Sequence, residues 1–343
     1  MNERKKKILQ AIIHDYTKTA EPVGSRTIAR KYSLGVSPAT VRNEMADLED
    51  MGLIEQPYTS AGRVPSNVGY RYYVDCIMEK TELTEIEEAQ ISNQYKTKVK
   101  EIENVIHNTG KLLSEITHYT AMVTTPEMGK KAVKRIQLIY LGPTQALAVI
   151  VLQSGLVSNR LMTIPQSVSE EDLNLISRVL NKNIQGETLD NIKRTVLQEI
   201  YADLIKQKKT LNMVMDILDE SLGADESRDN KVYLDGTLNI LNQPEFKDVE
   251  KIRSILGILN EEDTIRGLLG SNEDTGITIK IGSENKLEGF SDCSIITATY
   301  HIDGQVLGSV GLLGPTRMEY SKVVAFMEAI TANLSEIMKK HYG

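Results

Sequence analysis

Between Val36 and Gly52 the chain reads VSPATVRNEMADLEDMG. The front of this stretch carries hydroxyls at Ser37 and Thr40, a methyl at Ala39, a guanidinium at Arg42 and an amide at Asn43. Small residues, a guanidinium and an amide at the start of a helix suit the reading of base edges in a DNA major groove. The helix itself is well signposted. Ser37 is an N-cap whose hydroxyl accepts from a free amide of the first turn. Pro38 sits at the first helical position, where a missing N–H costs nothing. Gly52 stands where a left-handed residue ends a helix. Val41, Met45, Leu48 and Met51 fall at helical spacing and predict one apolar stripe. The competing reading is an amphipathic helix with a merely polar surface, and only the neighbouring elements decide between the two.

Upstream, Ile8, Ile12 and Tyr16 predict a helix over residues 3–19, ended at Glu21-Pro22 because the residue before proline avoids the helical region. Gly24-Ser25 opens a short helix over Arg26–Tyr32, and Ser33-Leu34-Gly35 turns the chain into the stretch above. This is a helix-turn-helix order. Downstream, Leu53-Ile54-Glu55-Gln56 reads as a strand and Thr59–Arg63 as a polar loop, with Val64 returning as a second strand. A hairpin after the second helix is a wing. Arg63 near its tip is placed to enter the minor groove or hold a phosphate, unless it is an exposed arginine in an idle turn. The candidate DNA-binding residues are therefore Arg26, Ser37, Ala39, Thr40, Arg42, Asn43 and Arg63. Lys5, Lys6 and Lys7 read as a solvated, frayed terminus, while Arg30 and Lys31 suit phosphate contact and plain solubility equally.

The whole chain has 343 residues, enough for two or three domains, with 41% hydrophobic and 25% charged residues. It has no Trp and three Phe, so its cores must be largely aliphatic. The net charge is -7, yet residues 1–80 hold twelve Lys/Arg against ten Asp/Glu, a local +2 that leaves -9 for the remainder. An acidic protein is no bulk coater of nucleic acid, but a local basic patch still binds it. Cys76 and Cys293 lie far apart in apolar settings and read as reduced, buried thiols. The start, MNERKKKILQ, lacks the apolar core of a signal peptide. The longest apolar run, Ala146–Leu152, is too short for a bilayer. A cytoplasmic location is expected, with no membrane partner.

Catalytic patterns are missing. The five histidines show no metal-ligand spacing, and neither cysteine has a close partner. No phosphate-binding loop, dinucleotide fingerprint or nucleophile elbow is present. No enzyme activity, cofactor or metal is expected.

Thr84 and Glu87 form a capping box before a helical pattern that runs to about Thr120, with Gly110 able to bend or break it. Three apolar runs, Val133–Leu141, Ala146–Leu152 and Leu156–Ile164, predict an antiparallel meander. A helix capped by Ser169 follows, then a long helical pattern from Leu189 to Leu222 and a polar loop over 223–230. Val232–Leu234 and Leu238–Leu241 read as a small hairpin. Helices are expected from Pro244 to Leu259 and then to about Gly270. Ile277–Ile281 is a strand, Cys293–Ile302 and Gln305–Leu313 flank the hairpin signal Asp303-Gly304, and a final helix covers Tyr320–His341. Strands, then helices, then strands predict an α/β sheet domain interrupted by a helical insertion.

The segments EPVGSRTIARKY, VSPATVRNEMADLEDMGLIEQPYTSAGRVPS and GYRYYVD closely resemble the N-terminal domain of the heat-inducible transcription repressor family HrcA. Further matches are IGSEN at Ile281–Asn285, SIITATY at Ser294–Tyr300 and GLLGPTRMEY at Gly311–Tyr320; the insertion matches only loosely. The resemblance implies an α+β multidomain chain: an N-terminal winged helix-turn-helix, a GAF-like α/β domain with an antiparallel sheet, and an inserted, mainly helical dimerisation domain. The expected limits are 1–80 for DNA binding, 81–165 and 271–343 for the linker helix and GAF-like domain, and 166–270 for the insertion. It further implies a homodimer that represses chaperone operons at an inverted-repeat operator, CIRCE, is relieved on heat stress, and has the chaperonin GroEL as modulator. Val214, Met215 and Leu218 are candidates for the dimer patch or for the insertion's own core. The alternative is a metabolite-responsive regulator with the same DNA domain, in which Tyr140, Tyr300 and Arg317 line an effector pocket of the GAF-like domain.

Overall fold

The computed structural model describes residues 1–32, 34–96, 102–125, 133–153, 157–183, 231–246, 248–270, 276–287, 289–302 and 304–342. The expected Leu189–Leu222 helix, with Val214, Met215 and Leu218, and the 223–230 loop lie outside them. The chain divides into two compact units. The first comprises Met1–Thr124, Val232–Tyr300 and Ser309–Leu334; the second comprises Thr125–Lys231, His301–Gly308 and Ser335–Gly343.

The first unit begins with α1 (Glu3–Thr19), α2 (Ser25–Lys31) and α3 (Pro38–Asp50), followed by the two-residue strands β1 (Ile54–Glu55) and β2 (Val64–Pro65). Ile8, Leu9 and Ile12 of α1, Ile28 of α2 and Val41 and Leu48 of α3 are completely buried and form the core of this N-terminal module. Met51, expected in the same stripe, is instead about half exposed at the C-cap of α3. The N-terminus is not frayed: Asn2 caps α1 by accepting from the Lys5 amide. α4 (Asn67–Cys76) starts from the Ser66 cap. Cys76 at its end is exposed, contrary to the expectation of two buried thiols, whereas Cys293 is buried. α4 buries only Gly69 and Tyr70 near its start, and Cys76 is its last residue, next to exposed Asp75.

The capping box at Thr84 and Glu87 forms as expected, with the Thr84 amide donating to the Glu87 carboxylate at 2.9 Å. It opens α5 (Glu85–Lys96), and α6 (Ile102–Thr117) follows as a separate helix. Gly110 does not break α6; it lets the helix approach Asp235, whose carboxylate a Cβ would meet at 2.6 Å. Helix α6 ends at His118, which is in the left-handed region, and Thr120–Thr124 then forms β3. The helical pattern expected to about Thr120 thus stops short of it, and the sequence assigns no strand to residues 121–124. The strand is buried at all five positions, so it shows no alternation to distinguish it from helix.

β3 lies inside a five-stranded sheet of order β7-β3-β10-β9-β8, built from β7 (Val232–Asp235), β8 (Ile277–Ile281), β9 (Cys293–Ile302) and β10 (Gln305–Pro315). β3 runs antiparallel to β7 and β10, and β8 antiparallel to β9. β7 therefore pairs with β3, not with Leu238–Leu241, which belongs to a 3₁₀ helix (Thr237–Asn242). Gly236 makes that turn with φ 67°, and a hairpin would need the next residues to reverse alongside β7. α8 (Val249–Leu259) and α9 (Glu262–Leu269) pack on the sheet through Ile255, Ile265 and Leu269 against Met122, Ile295 and Leu313. α10 (Tyr320–Tyr342) closes the chain.

In the second unit, β4 (Val133–Gly142), β5 (Gln145–Leu152) and β6 (Val157–Thr163) form the predicted meander. It is a separate three-stranded sheet, however, and not part of the sheet that contains β8 to β10, with which it was grouped. α7 (Glu170–Asn183) carries buried Leu173, Ile176 and Leu180 and lies along β4. The Asn181 side chain accepts from the Ile136 amide at 2.9 Å and donates to the Ile136 carbonyl, while Ser177 accepts from the Leu138 amide at 2.9 Å. No helix among the described residues is long and apolar enough to cross a membrane.

Candidate nucleic-acid interface

Helix α3 presents two sharply different faces. Val41, Met45 and Leu48 are buried, and Ala39, Arg42, Asn43 and Ala46 are exposed. The exposed set recurs at helical spacing and forms one continuous stripe. Ser37 caps the helix, its Oγ accepting from the Thr40 amide at 3.2 Å and lying 3.0 Å from the Thr40 hydroxyl. Thr40 is consequently half-buried, a supporting neighbour of the stripe more than part of it. Ser37 remains exposed, and so does Arg26 on α2. No ion pair to Arg26 or Arg42 forms among the described residues. Ala46, one further turn along, went unnoticed in the sequence although the spacing of Ala39, Arg42 and Asn43 points to it.

Three of the four acidic residues of α3 are paired with cations, and the fourth, Asp50, is exposed at its C-terminal end, far from the cap. Glu44 lies 3.4 Å from Arg4 and 3.5 Å from Lys5, and Asp47 is paired with Lys5 at 2.9 Å. Glu49 is paired with Arg63, through Nη2 at 2.7 Å and Nε at 2.9 Å. Lys5 is thus a partner of α3 and no frayed charge, and the more exposed Arg4 reaches the same helix. Lys31 is paired with Asp15, whose side chain is almost wholly buried, which favours a structural role over phosphate contact. Holding carboxylates beside cations reduces the repulsion that an anionic duplex would meet at this helix.

Arg63 is not at the tip of the wing. Its backbone bridges Val23, accepting from the Val23 amide at 2.8 Å and donating to the Val23 carbonyl at 2.9 Å. That bridge fixes Arg63 at the root of the hairpin, and Gly62 is needed beside it because a Cβ there would sit 2.5 Å from the Val23 backbone. The tip is made by Tyr58, Thr59 and Ser60, all exposed, with Ser60 at φ 70°. Tyr58 is 66% exposed, and its sequence signal is an aromatic residue directly before the polar loop.

The residues named for an effector pocket have other roles or lie in different units. Tyr300 is buried and donates to the Thr124 carbonyl at 2.7 Å, Arg317 is engaged by Glu245, and Tyr140 belongs to the other unit. Among the described residues, no group of His, Cys, Asp and Glu is arranged to hold a metal ion.

Residues 1–73 match the family profile described as "Winged helix-turn-helix transcription repressor, HrcA DNA-binding", and residues 103–324 match "HrcA protein C terminal domain". The chain is 49% identical over 341 residues to the heat-inducible transcription repressor HrcA of Desulforamulus reducens, covering 99% of this chain and 98% of that one. It is 48% identical over 343 residues to the protein of the same name from Moorella thermoacetica, covering 100% and 99%. A crystal structure of a hypothetical protein shares the fold, with a TM-score of 0.64 at 24% identity over 99% of both chains.

Proposed function

The chain belongs to the HrcA family of heat-inducible transcription repressors, and from that premise we propose that it represses chaperone operons by binding an inverted-repeat CIRCE operator as a homodimer. Repression is relieved on heat stress, with the chaperonin GroEL favouring the DNA-binding form. The observation that carries the reading is the exposed stripe of Ala39, Arg42, Asn43 and Ala46 at the front of a capped helix whose Glu44, Asp47 and Glu49 are paired with cations. Arg42 and Asn43 read bases, Ser37 and Ala39 allow close approach, and Arg26 contacts the backbone. Thr40 orients Ser37, and the wing touches the duplex through Tyr58–Ser60, with Arg63 supporting it from the root.

A dimer doubles the base contacts on a two-fold operator. Support for one comes from the second unit, where Ile139, Leu141, Val157 and Leu161 are 40%, 53%, 56% and 64% exposed on the three-stranded sheet. Contiguous exposed apolar surface of this kind marks an association surface. On this reading the five-stranded sheet with its helices is the GAF-like part, and the three-stranded sheet of the second unit belongs with the inserted domain.

A gel shift with an inverted-repeat duplex, with and without chaperonin, tests the reading. A retarded band that a scrambled duplex fails to compete away is expected, strengthened by chaperonin. No shift in either sample overturns it.

A further inference from the structure

Four stretches that are far apart in sequence meet where the N-terminal helical module joins the five-stranded sheet, all within the first unit. From the N-terminal side come the end of α1 and the GYRYYVD stretch of α4. From the C-terminal side come IGSEN, after β8, and the Thr316–Tyr320 turn before α10. Tyr70 and Tyr320 pack at the centre, 2% and 1% exposed, with ring centroids 5.8 Å apart. Gly282, at φ 53°, admits Asn67 so closely that a Cβ would lie 2.2 Å from its amide nitrogen.

Two arginines flank this aromatic centre. Arg71 of α4 holds Glu284 through Nε at 2.9 Å and through Nη2, and Nη2 also donates to the Ile279 carbonyl on the edge strand β8. Asp75, one turn on, steadies the same guanidinium at 3.2 Å. Arg317 works in the opposite direction. It is anchored by Glu245 at 2.5 Å and donates to the Thr17 carbonyl at 2.5 Å. Thr17 O is in the last turn of α1, where carbonyls lack helical partners and the dipole favours a cation. At its other end α1 holds Glu44 and Asp47 of α3 through Arg4 and Lys5. One rigid helix therefore links the Arg317 contact to the proposed recognition helix. The exposed stripe of α3 takes no part in any of these contacts, so the junction holds the DNA-binding module without covering its face.

We propose that Arg71 and Arg317 form a two-point latch that fixes the direction of the DNA-binding module on the C-terminal sheet. They are positioning residues, acting through α4 and α1, for reading two half-sites at one set spacing. The spacing part rests on the operator-binding reading above; the latch itself does not.

The test uses the full chain. In a Cys76→Ser background, spin labels are placed at Lys7→Cys and Glu250→Cys, both exposed, and labelled chain is diluted with unlabelled chain. Cys293 is buried and does not compete for label. Without DNA, a narrow distance distribution is expected, broadening when Arg71→Ala and Arg317→Ala are combined. Glu284→Gln with Glu245→Gln weakens the same bonds from the other side at nearly constant volume, and should also broaden it if the arginine variants fold poorly. An unchanged narrow distribution in both double variants overturns the latch. In a second arm, inverted repeats with altered spacers are titrated. The parent should prefer one spacer. The latch variants should lose on the order of tenfold on that duplex, as the effective concentration at the second half-site falls, and should discriminate little among spacers. If the parent binds no inverted repeat, the operator reading fails while the distance measurement still decides the latch. If it binds and the variants retain its spacer preference, the positioning role is overturned.

Discussion

At the scale of single residues, the proposed reading depends on Arg42. Arg42→Ala should lower operator affinity by about 1–3 kcal/mol, the value of a bidentate base contact, while binding to unrelated duplex changes less. Equal losses on both duplexes, measured by titration at fixed salt, would reassign Arg42 to phosphate. Tyr70 carries a different expectation. Its hydroxyl is buried and bonds to none of the described residues, and burial pushes its pKa well up. An unsatisfied buried polar group costs about 1–3 kcal/mol, so Tyr70→Phe should leave the thermal midpoint unchanged or raise it. A clear fall would show that the hydroxyl has a partner worth keeping. The front of α3 was legible because capping and helical spacing are local. The place of Arg63 was not, because its backbone pairs with Val23, forty residues away, and no local signal separates the root of a hairpin from its tip.

Whole elements obey longer-range constraints. α4 passes so near the wing that a Cβ on Gly69 would lie 1.9 Å from the Leu53 carbonyl oxygen. Helix propensity alone favours alanine there. Gly69→Ala should nevertheless destabilise the protein by about 1–3 kcal/mol or more, as overpacking does, and a denaturant melt that shows stabilisation would refute the close approach. α5 makes a pH-dependent contact. Glu87, 2.8 Å from Lys322 and bonded to Thr84, has its pKa pulled down to about 2, chiefly by Lys322. A depressed carboxylate contributes stability above its ordinary pKa and loses it as the pH falls through the folded value. The hold of α5 on α10 should therefore weaken between about pH 4.5 and 2. Amide exchange of α5 across this window should show that dependence, and Glu87→Gln should abolish it. The helices whose caps the sequence marks, α3 at Ser37, α5 at Thr84 and α7 at Ser169, were readable. The start of α8 was not, since Asp248 and not Pro244 opens it. Nor were β3 and the 3₁₀ turn after β7, since full burial and tertiary pairing, not periodicity, decide them.

For the molecule as a whole, the run of strands from Val133 to Thr163 was legible, but not the sheet to which they belong. Strand patterns record burial on a face and carry no mark of the partner strand. The meander was therefore grouped with β8 to β10, although it forms its own sheet in the second unit. The open apolar face of that sheet gives the molecular-scale prediction. Leu161→Glu places a charge where a dimer would bury a side chain now 64% exposed. Sedimentation should then report monomer, and operator affinity should fall with it. A variant that remains dimeric moves the interface elsewhere.

The amide of Asn181 has a consequence beyond the packing of α7. By accepting from the Ile136 N–H and donating to its carbonyl, it imitates the peptide group of an adjacent strand. A bare strand edge is a template on which another chain can add. With Asn181 and Ser177 occupying that margin, β4 offers no row of free amides at Ile136 and Leu138 to seed a fibril. On the proposed reading, in which heat stress releases the repressor, this closed margin keeps the freed chain from adding its sheet edge to other proteins.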